Sequence, residues 1–142
     1  RHKVGERAFW SGLRAYYKAY QNGNALTRDF QEVMEIASGQ NLDGLFYEWL
    51  YQPGVPEIGV SWSWSKKEGL QLDIGQLRSD ATYTFPLDIA AEAPDGTRQT
   101  WTVNIDQEQQ TVTLPCDFEP NRLWLDPDTW LLFSAELKRM KN

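Results

Sequence analysis

The feature that most constrains this chain is a change of period at LFYEWLYQPGVP, residues 45 to 56. Before it, residues 1–51 repeat their apolar positions at helical spacing; after it, residues 57–137 alternate apolar and polar at strand spacing. A three-to-four repeat cannot lie on a pleated sheet with one clean face, so the sequence demands two differently built parts. Pro53 removes a backbone donor and biases Gln52 toward extended geometry, which ends the last helix. Only about six residues then separate helix from strand, two of them proline; a flexible Gly/Ser tether is excluded and the halves are expected to pack as one rigid body. The expected division is 1–54 and 55–142.

Within the first part, the spacing predicts a helix from Glu6 to about Gln21. Phe9, Leu13, Tyr16 and Tyr20 form its stripe, Trp10 and Tyr17 lie beside it, and Asn22-Gly23 stops it. A second helix is expected with Thr27 as N-cap, Asp29 in its first turn and Phe30, Val33, Met34 and Ala37 as its stripe, ending at Ser38-Gly39. A third, capped by Asn41, places Leu42, Leu45, Phe46, Trp49 and Leu50 on one face.

From Glu57 onward the pattern predicts about seven short strands. Ile58, Val60, Trp62 and Trp64 alternate with small polar residues, and Lys67-Glu68-Gly69 turns the chain into Leu70, Leu72 and Ile74. Tyr83, Phe85, Leu87 and Ile89 follow, then the turn Pro94-Asp95-Gly96, then Trp101, Val103 and Ile105. Val112 with Leu114, Leu123 to Leu125, and Trp130 to Leu137 complete the set. The fold class is therefore α+β: a short N-terminal segment of three helices followed by an immunoglobulin-like antiparallel β-sandwich. The paired cysteines of antibody domains are absent, so only the architecture is implied.

The first helix is apolar over more than one stripe. Phe9, Trp10, Leu13, Tyr16, Tyr17 and Tyr20 fill one arc and Ala8, Gly12, Ala15 and Ala19 an adjoining one, which leaves Arg7, Ser11, Arg14 and Lys18 as the polar strip. An ordinary surface helix needs an apolar stripe of about 100°, so this helix is built to be touched from two sides. A unit of about fifty residues also has little core of its own. The expectation is a C-terminal fragment whose larger N-terminal domain covers part of this helix.

Composition narrows the functions. A formal net charge of -6 opposes phosphate-backbone binding, which depends on clustered Lys and Arg, so no nucleic-acid partner is expected. No apolar run is long enough for a membrane-spanning helix, and the opening Arg-His-Lys-Val has no apolar stretch of a secretory leader behind it. One cysteine, Cys116, cannot form an intrachain disulfide and leaves the compartment open. The single histidine, His2, cannot build a His-Glu-x-x-His zinc site, which needs two histidines one helical turn apart. His2 with Glu6 reads as a solvated helix start and Cys116 as a packed thiol without a histidine base. Glu32 with Glu35 reads as a solvated helix face, and Asp126 with Asp128 as a turn around Pro127. The glycines fall singly, so no phosphate-binding loop is present. Trp62 and Trp64 share one strand face and offer the one alternative site, a sugar-stacking platform; burial in a small sandwich is the reading favoured, because an aromatic removes about 150 to 250 Å² from water. No catalytic, cofactor-binding or metal-binding residue is assigned.

Residues 1 to 62 closely resemble the end of the catalytic domain of gluzincin aminopeptidases, the alanyl aminopeptidase-like zinc metallopeptidases. The resemblance rests on Phe9-Trp10, Tyr16-Tyr17, Asn24-Ala25 with Thr27, Asp29-Phe30, Ser38-Gly39, Leu42, Phe46, Trp49-Leu50 and Pro53-Gly54. It implies that residues 1–54 are the helical tail of a thermolysin-like catalytic domain and that 55–142 are the β-sandwich domain that commonly follows. In that family the zinc ligands, general-base Glu, amine-binding Gly-rich motif and transition-state-stabilising Tyr all lie N-terminal to the matching segment, so none carries over to a residue here. The implied chain is non-catalytic, needs no cofactor of its own, and belongs to a parent that uses zinc to remove N-terminal residues from peptides. Its implied partners are the parent's catalytic domain and, through that domain, peptide substrates. Two rival readings are a carbohydrate- or peptide-binding sandwich and an assembly module that dimerises through the first helix.

Overall fold

The computed structural model describes residues 1–78 and 80–140, and the chain divides into two compact units, Arg1–Pro53 and Gly54–Asn142. In the first, the apolar repeat produces α1 (Glu6–Tyr20) and α2 (Thr27–Ser38), followed by a one-turn α3 (Asp43–Phe46) that runs into a π-helical turn, Tyr47–Tyr51. Gly12 is the buried residue of α1, and a Cβ there would lie 2.5 Å from Met34 Sδ, so glycine lets α1 and α2 approach at this point. Met34, Leu42 and Phe46 form the buried centre, with Val4, Phe9, Phe30 and Leu45 packed against it.

Three helix-end expectations are corrected. Thr27 is the first residue of α2 and Leu26 holds the cap position, because the Asp29 carboxylate reaches back to accept the Leu26 N–H at 2.7 Å and makes a capping hydroxyl unnecessary. Asn41 does not cap α3 directly. Its Oδ1 accepts the Asp43 N–H at 3.1 Å, while Leu42 occupies the cap position and donates its N–H to Glu35 at 2.7 Å. The π-turn, closed by Gln52 N–H to Tyr47 O at 2.9 Å, rotates the residues after Phe46 away from a 3.6 repeat. Leu50, which the periodicity puts on the buried face, is accordingly 59% exposed.

The second unit contains β1 (Glu57–Ser65), β2 (Gly69–Gln76), β3 (Phe85–Glu92), β4 (Arg98–Ile105), β5 (Gln109–Leu114), β6 (Arg122–Leu125) and β7 (Ser134–Arg139). They form a four-stranded sheet ordered β5-β2-β1-β7 and a three-stranded sheet ordered β4-β3-β6. Alternation buries Ile58, Val60 and Trp62 of β1 and Leu70, Leu72 and Ile74 of β2 in one sheet. Phe85, Leu87 and Ile89 of β3, with Val103 and Ile105 of β4, do the same in the other, giving the two layers of a sandwich. Gly69, at φ +82°, sits so close to the Leu114 carbonyl that a Cβ would come within 2.5 Å of it.

The expected all-antiparallel pairing fails at one edge: β7 runs parallel to β1, with Ile58 opposite Ala135. β2 returns from β1 through a tight turn, whereas β7 reaches the free edge of β1 by crossing from the other sheet, so no hairpin reverses its direction. The last strand also starts later than Trp130. The Asp126 carboxylate accepts the N–H groups of Trp130 and Leu131 at 2.9 and 2.8 Å, and Asp126 and Thr129 have φ of 49° and 57°, which holds a turn ahead of Ser134. Tyr83 likewise precedes β3, its N–H donated to Gln76 Oε1 at 2.8 Å instead of to a strand.

Candidate functional site

The polar residues with chemical potential are dispersed into local structure. The Cys116 thiol is buried and donates to the Phe118 carbonyl at 3.1 Å; burial, reinforced by the nearby Asp117 charge, pushes it above its ordinary 9.0. Glu32 pairs with Arg28 at 3.2 Å, and Glu35 accepts from Leu42 N–H and Gln31. Asp126 closes its turn while Asp128 is exposed beyond Pro127. Glu6 holds Arg1 and the Trp10 indole N–H, the latter at 2.8 Å, and these contacts keep its carboxyl below the usual range. Among the described residues no three His, Cys, Asp or Glu side chains gather as a metal-ion cluster. With a single histidine in the sequence, the chain's donor set does not fit a His-Glu-x-x-His zinc site.

The tryptophan pair separates on inspection. Trp62 is 5% exposed with the Arg139 guanidinium 4.9 Å over its ring, so it offers no stacking face. Trp64 is half-buried and donates its indole N–H to the Cys116 carbonyl at 3.0 Å. The ring that sequence reading passed over is Trp124, which has Arg98 and Arg122 guanidiniums 4.6 and 4.4 Å from its centroid. Cross-strand register explains it: Trp124 lies opposite the small Ala90, and the row Arg98, Glu92, Arg122 runs alongside. The signal was invisible in a single strand, because it depends on three strands meeting.

Among the described residues, the helical half carries two open apolar grooves. One, about 570 Å³, is bordered by Tyr16, Leu26, Phe30, Phe46, Trp49 and Leu50. The other, about 780 Å³, is bordered by Trp10, Leu13, Arg14, Tyr17 and Tyr20, and the two share Tyr16 and Ala25. Tyr16 is fixed edge-on to Phe30 with ring centroids 5.1 Å apart, so the wall between the grooves is rigidly placed. Trp10, Tyr17 and Leu26 are 43%, 69% and 73% exposed. Exposed apolar side chains clustered in this way mark a surface meant to be covered. The first-helix arc anticipates Trp10 and Tyr17; Leu26 was missed, although an apolar residue isolated in the polar loop before α2 was a signal for it.

No protein-family profile matches the chain. It is 41% identical over 58 residues to the puromycin-sensitive aminopeptidase of Caenorhabditis elegans, covering 41% of this chain and 6% of that protein. It is 36% identical over 57 residues to aminopeptidase N of Lactococcus lactis subsp. lactis, covering 40% of this chain and 7% of that one. Over about 40% of its length the chain is thus similar to aminopeptidases. A third similarity, 37% over 57 residues, is to aminopeptidase M1-D of Oryza sativa subsp. japonica, with 40% and 6% covered. The structural similarity extends further than the sequence similarity: the crystal structure of Legionella pneumophila aminopeptidase A in complex with aspartic acid matches 98% of this chain and 16% of its own, with a TM-score of 0.74 and 18% identity. At that identity the match speaks for the fold. The chain spans 6 to 7% of the length of these sequence relatives.

Proposed function

We propose that the chain serves as a non-catalytic C-terminal part of a zinc-dependent aminopeptidase, an enzyme that removes N-terminal residues from peptides. Residues 1–54 act as the tail of its catalytic domain and 55–142 as an accompanying sandwich domain. The observation that carries this reading is the uncovered apolar face of α1, α2 and the π-turn, on a unit whose buried centre is three side chains, in a chain similar to aminopeptidases. Trp10, Tyr17 and Leu50 supply contact area, and the edge-on Tyr16–Phe30 contact fixes its shape, so the role assigned to these residues is to seat and brace the partner domain. Zinc, the general base and the peptide-binding groups belong to that partner, since the donor set here does not fit them. The test is the coding sequence immediately upstream of Arg1. An in-frame His-Glu-x-x-His within one domain's length is expected; an unrelated upstream domain without it would overturn the proposal.

A further inference from the structure

We propose that a second copy of this chain pairs along the edge of β7, joining the four-stranded sheets of both copies into one continuous sheet across a two-fold axis. The inference goes beyond the aminopeptidase reading and does not depend on it, because it uses a strand of the sandwich and no residue of the helical face. Among the described residues β7 ends the order β5-β2-β1-β7, so one of its edges has no strand beside it. Ser134 and Met140 donate their N–H groups to the Pro56 and Trp62 carbonyls at 3.0 and 2.8 Å. Backbone direction alternates along a strand, so the even-numbered residues face β1, and Ala135, Leu137 and Arg139 turn their N–H and C=O groups to the open edge. Such an edge is a template for another strand. All side chains of β7 are exposed, so none of them shields it.

The charges on β7 itself select a second copy over an arbitrary strand. Ala135, Leu137 and Arg139 lie opposite the buried Ile58, Val60 and Trp62, on the inner face of the sheet, which leaves Glu136 and Lys138 on the outer face. An antiparallel copy can match edge-facing residues only with edge-facing residues, so the allowed registers differ by steps of two. In the register centred on Leu137, the two Leu137 residues exchange both backbone bonds and each Ala135 does so with Arg139 of the other copy. Glu136 of each copy then stands opposite Lys138 of the other, at the more closely spaced positions between those bonds. One step either way sets Glu136 against Glu136 or Lys138 against Lys138, and like charges directly opposite destabilise a pair. The contact of 3.5 Å that Lys138 makes with Glu136 of its own strand is a weak, exposed one, which the cross-strand pairs replace. Arg139 is held over Trp62 and by Glu119, and the small Ala135 opposite it leaves that arrangement room. The strand is therefore complementary to itself in one register, as a two-fold interface requires.

Sedimentation velocity on the 142-residue chain tests it, over a range of about 1 to 100 μM, where a modest interface dissociates. The expected result is a rise from the 16.5 kDa monomer to twice that mass. Leu137→Pro removes an N–H that faces the open edge and none that faces β1, so it is expected to abolish the rise. Glu136→Lys and Lys138→Glu should each weaken association roughly tenfold, and the two combined should restore it, since opposite charges again face each other. Both side chains are exposed, so these variants keep the circular dichroism of the parent chain, and loss of the dimer is separable from loss of fold. A monomer at every concentration, a dimer indifferent to Leu137→Pro, or a combined exchange no tighter than the single ones overturns the proposal. Association through the helical face would show the second of these. Each result leaves the upstream coding-sequence test of the aminopeptidase reading untouched.

Discussion

Gln76 is 5% exposed, and its amide joins two loops of the sandwich: Nε2 donates to the carbonyls of Tyr83 and Gln107 at 2.9 and 3.1 Å, while Oε1 accepts the Tyr83 N–H at 2.8 Å. Truncation leaves these backbone groups buried without that partner, and each such group costs about 1 to 3 kcal/mol. Gln76→Ala should therefore lower stability by roughly 2 to 4 kcal/mol in urea unfolding with little change in m-value. Cys116 gives a pH-dependent counterpart. Because burial raises its folded pKa above 9.0, the folded chain holds the thiol proton more tightly than the unfolded chain does. Its contribution to stability is whole below that ordinary value and is lost as pH rises through the folded one. Iodoacetamide at pH 8 should label Cys116 much more slowly in the native protein than in urea, as read by mass spectrometry; equal rates would contradict the buried, protonated thiol. At this scale the sequence showed a cysteine without a histidine base, but not Gln76: a polar residue that ends a strand looks solvated until the two loops it joins are known.

Among the elements, the turn after β6 is held by one side chain. Asp126 is 7% exposed, adopts φ of 49°, and bonds two successive N–H groups. Asp126→Ala removes both charge-assisted bonds and places a Cβ-bearing residue without Asp's tolerance for left-handed geometry, for an expected loss of about 3 kcal/mol. The loss should come with faster amide exchange in β7, whose side chains are all exposed. Unchanged exchange there would separate the turn from the strand it precedes. Element types were legible from period alone, since Phe9, Leu13, Tyr16 and Tyr20 repeat as a helix while Ile58, Val60 and Trp62 alternate. The errors fall where side chains compete for backbone groups. Asp29 displaces Thr27 from the cap, Asp126 delays the last strand, and a π-turn turns Leu50 outward. None of these competitions leaves a periodic signature. The parallel β1–β7 edge was hidden for a different reason, because alternation fixes which face a residue occupies and says nothing about strand direction.

For the whole molecule, the helical half and the sandwich differ in how they are stabilised. The sandwich buries two sheets' inner faces, whereas the helical half centres on Met34, Leu42 and Phe46 and leaves Trp10, Tyr17, Leu26 and Leu50 uncovered. The excess apolar arc on α1 made that imbalance legible in the sequence, but the grooves themselves depend on where α2 and the π-turn stand beside it. On the proposed function, Leu50→Glu should leave the sandwich's stability unchanged while weakening capture of the helical half by the parent's catalytic domain, measured by calorimetry. The central proposal is that the chain supports an aminopeptidase without performing its chemistry. The most direct measurement is hydrolysis of aminoacyl-anilide substrates by the purified chain with added zinc. The account predicts no turnover above buffer; sustained turnover that survives purification in chelator and returns with zinc would contradict it.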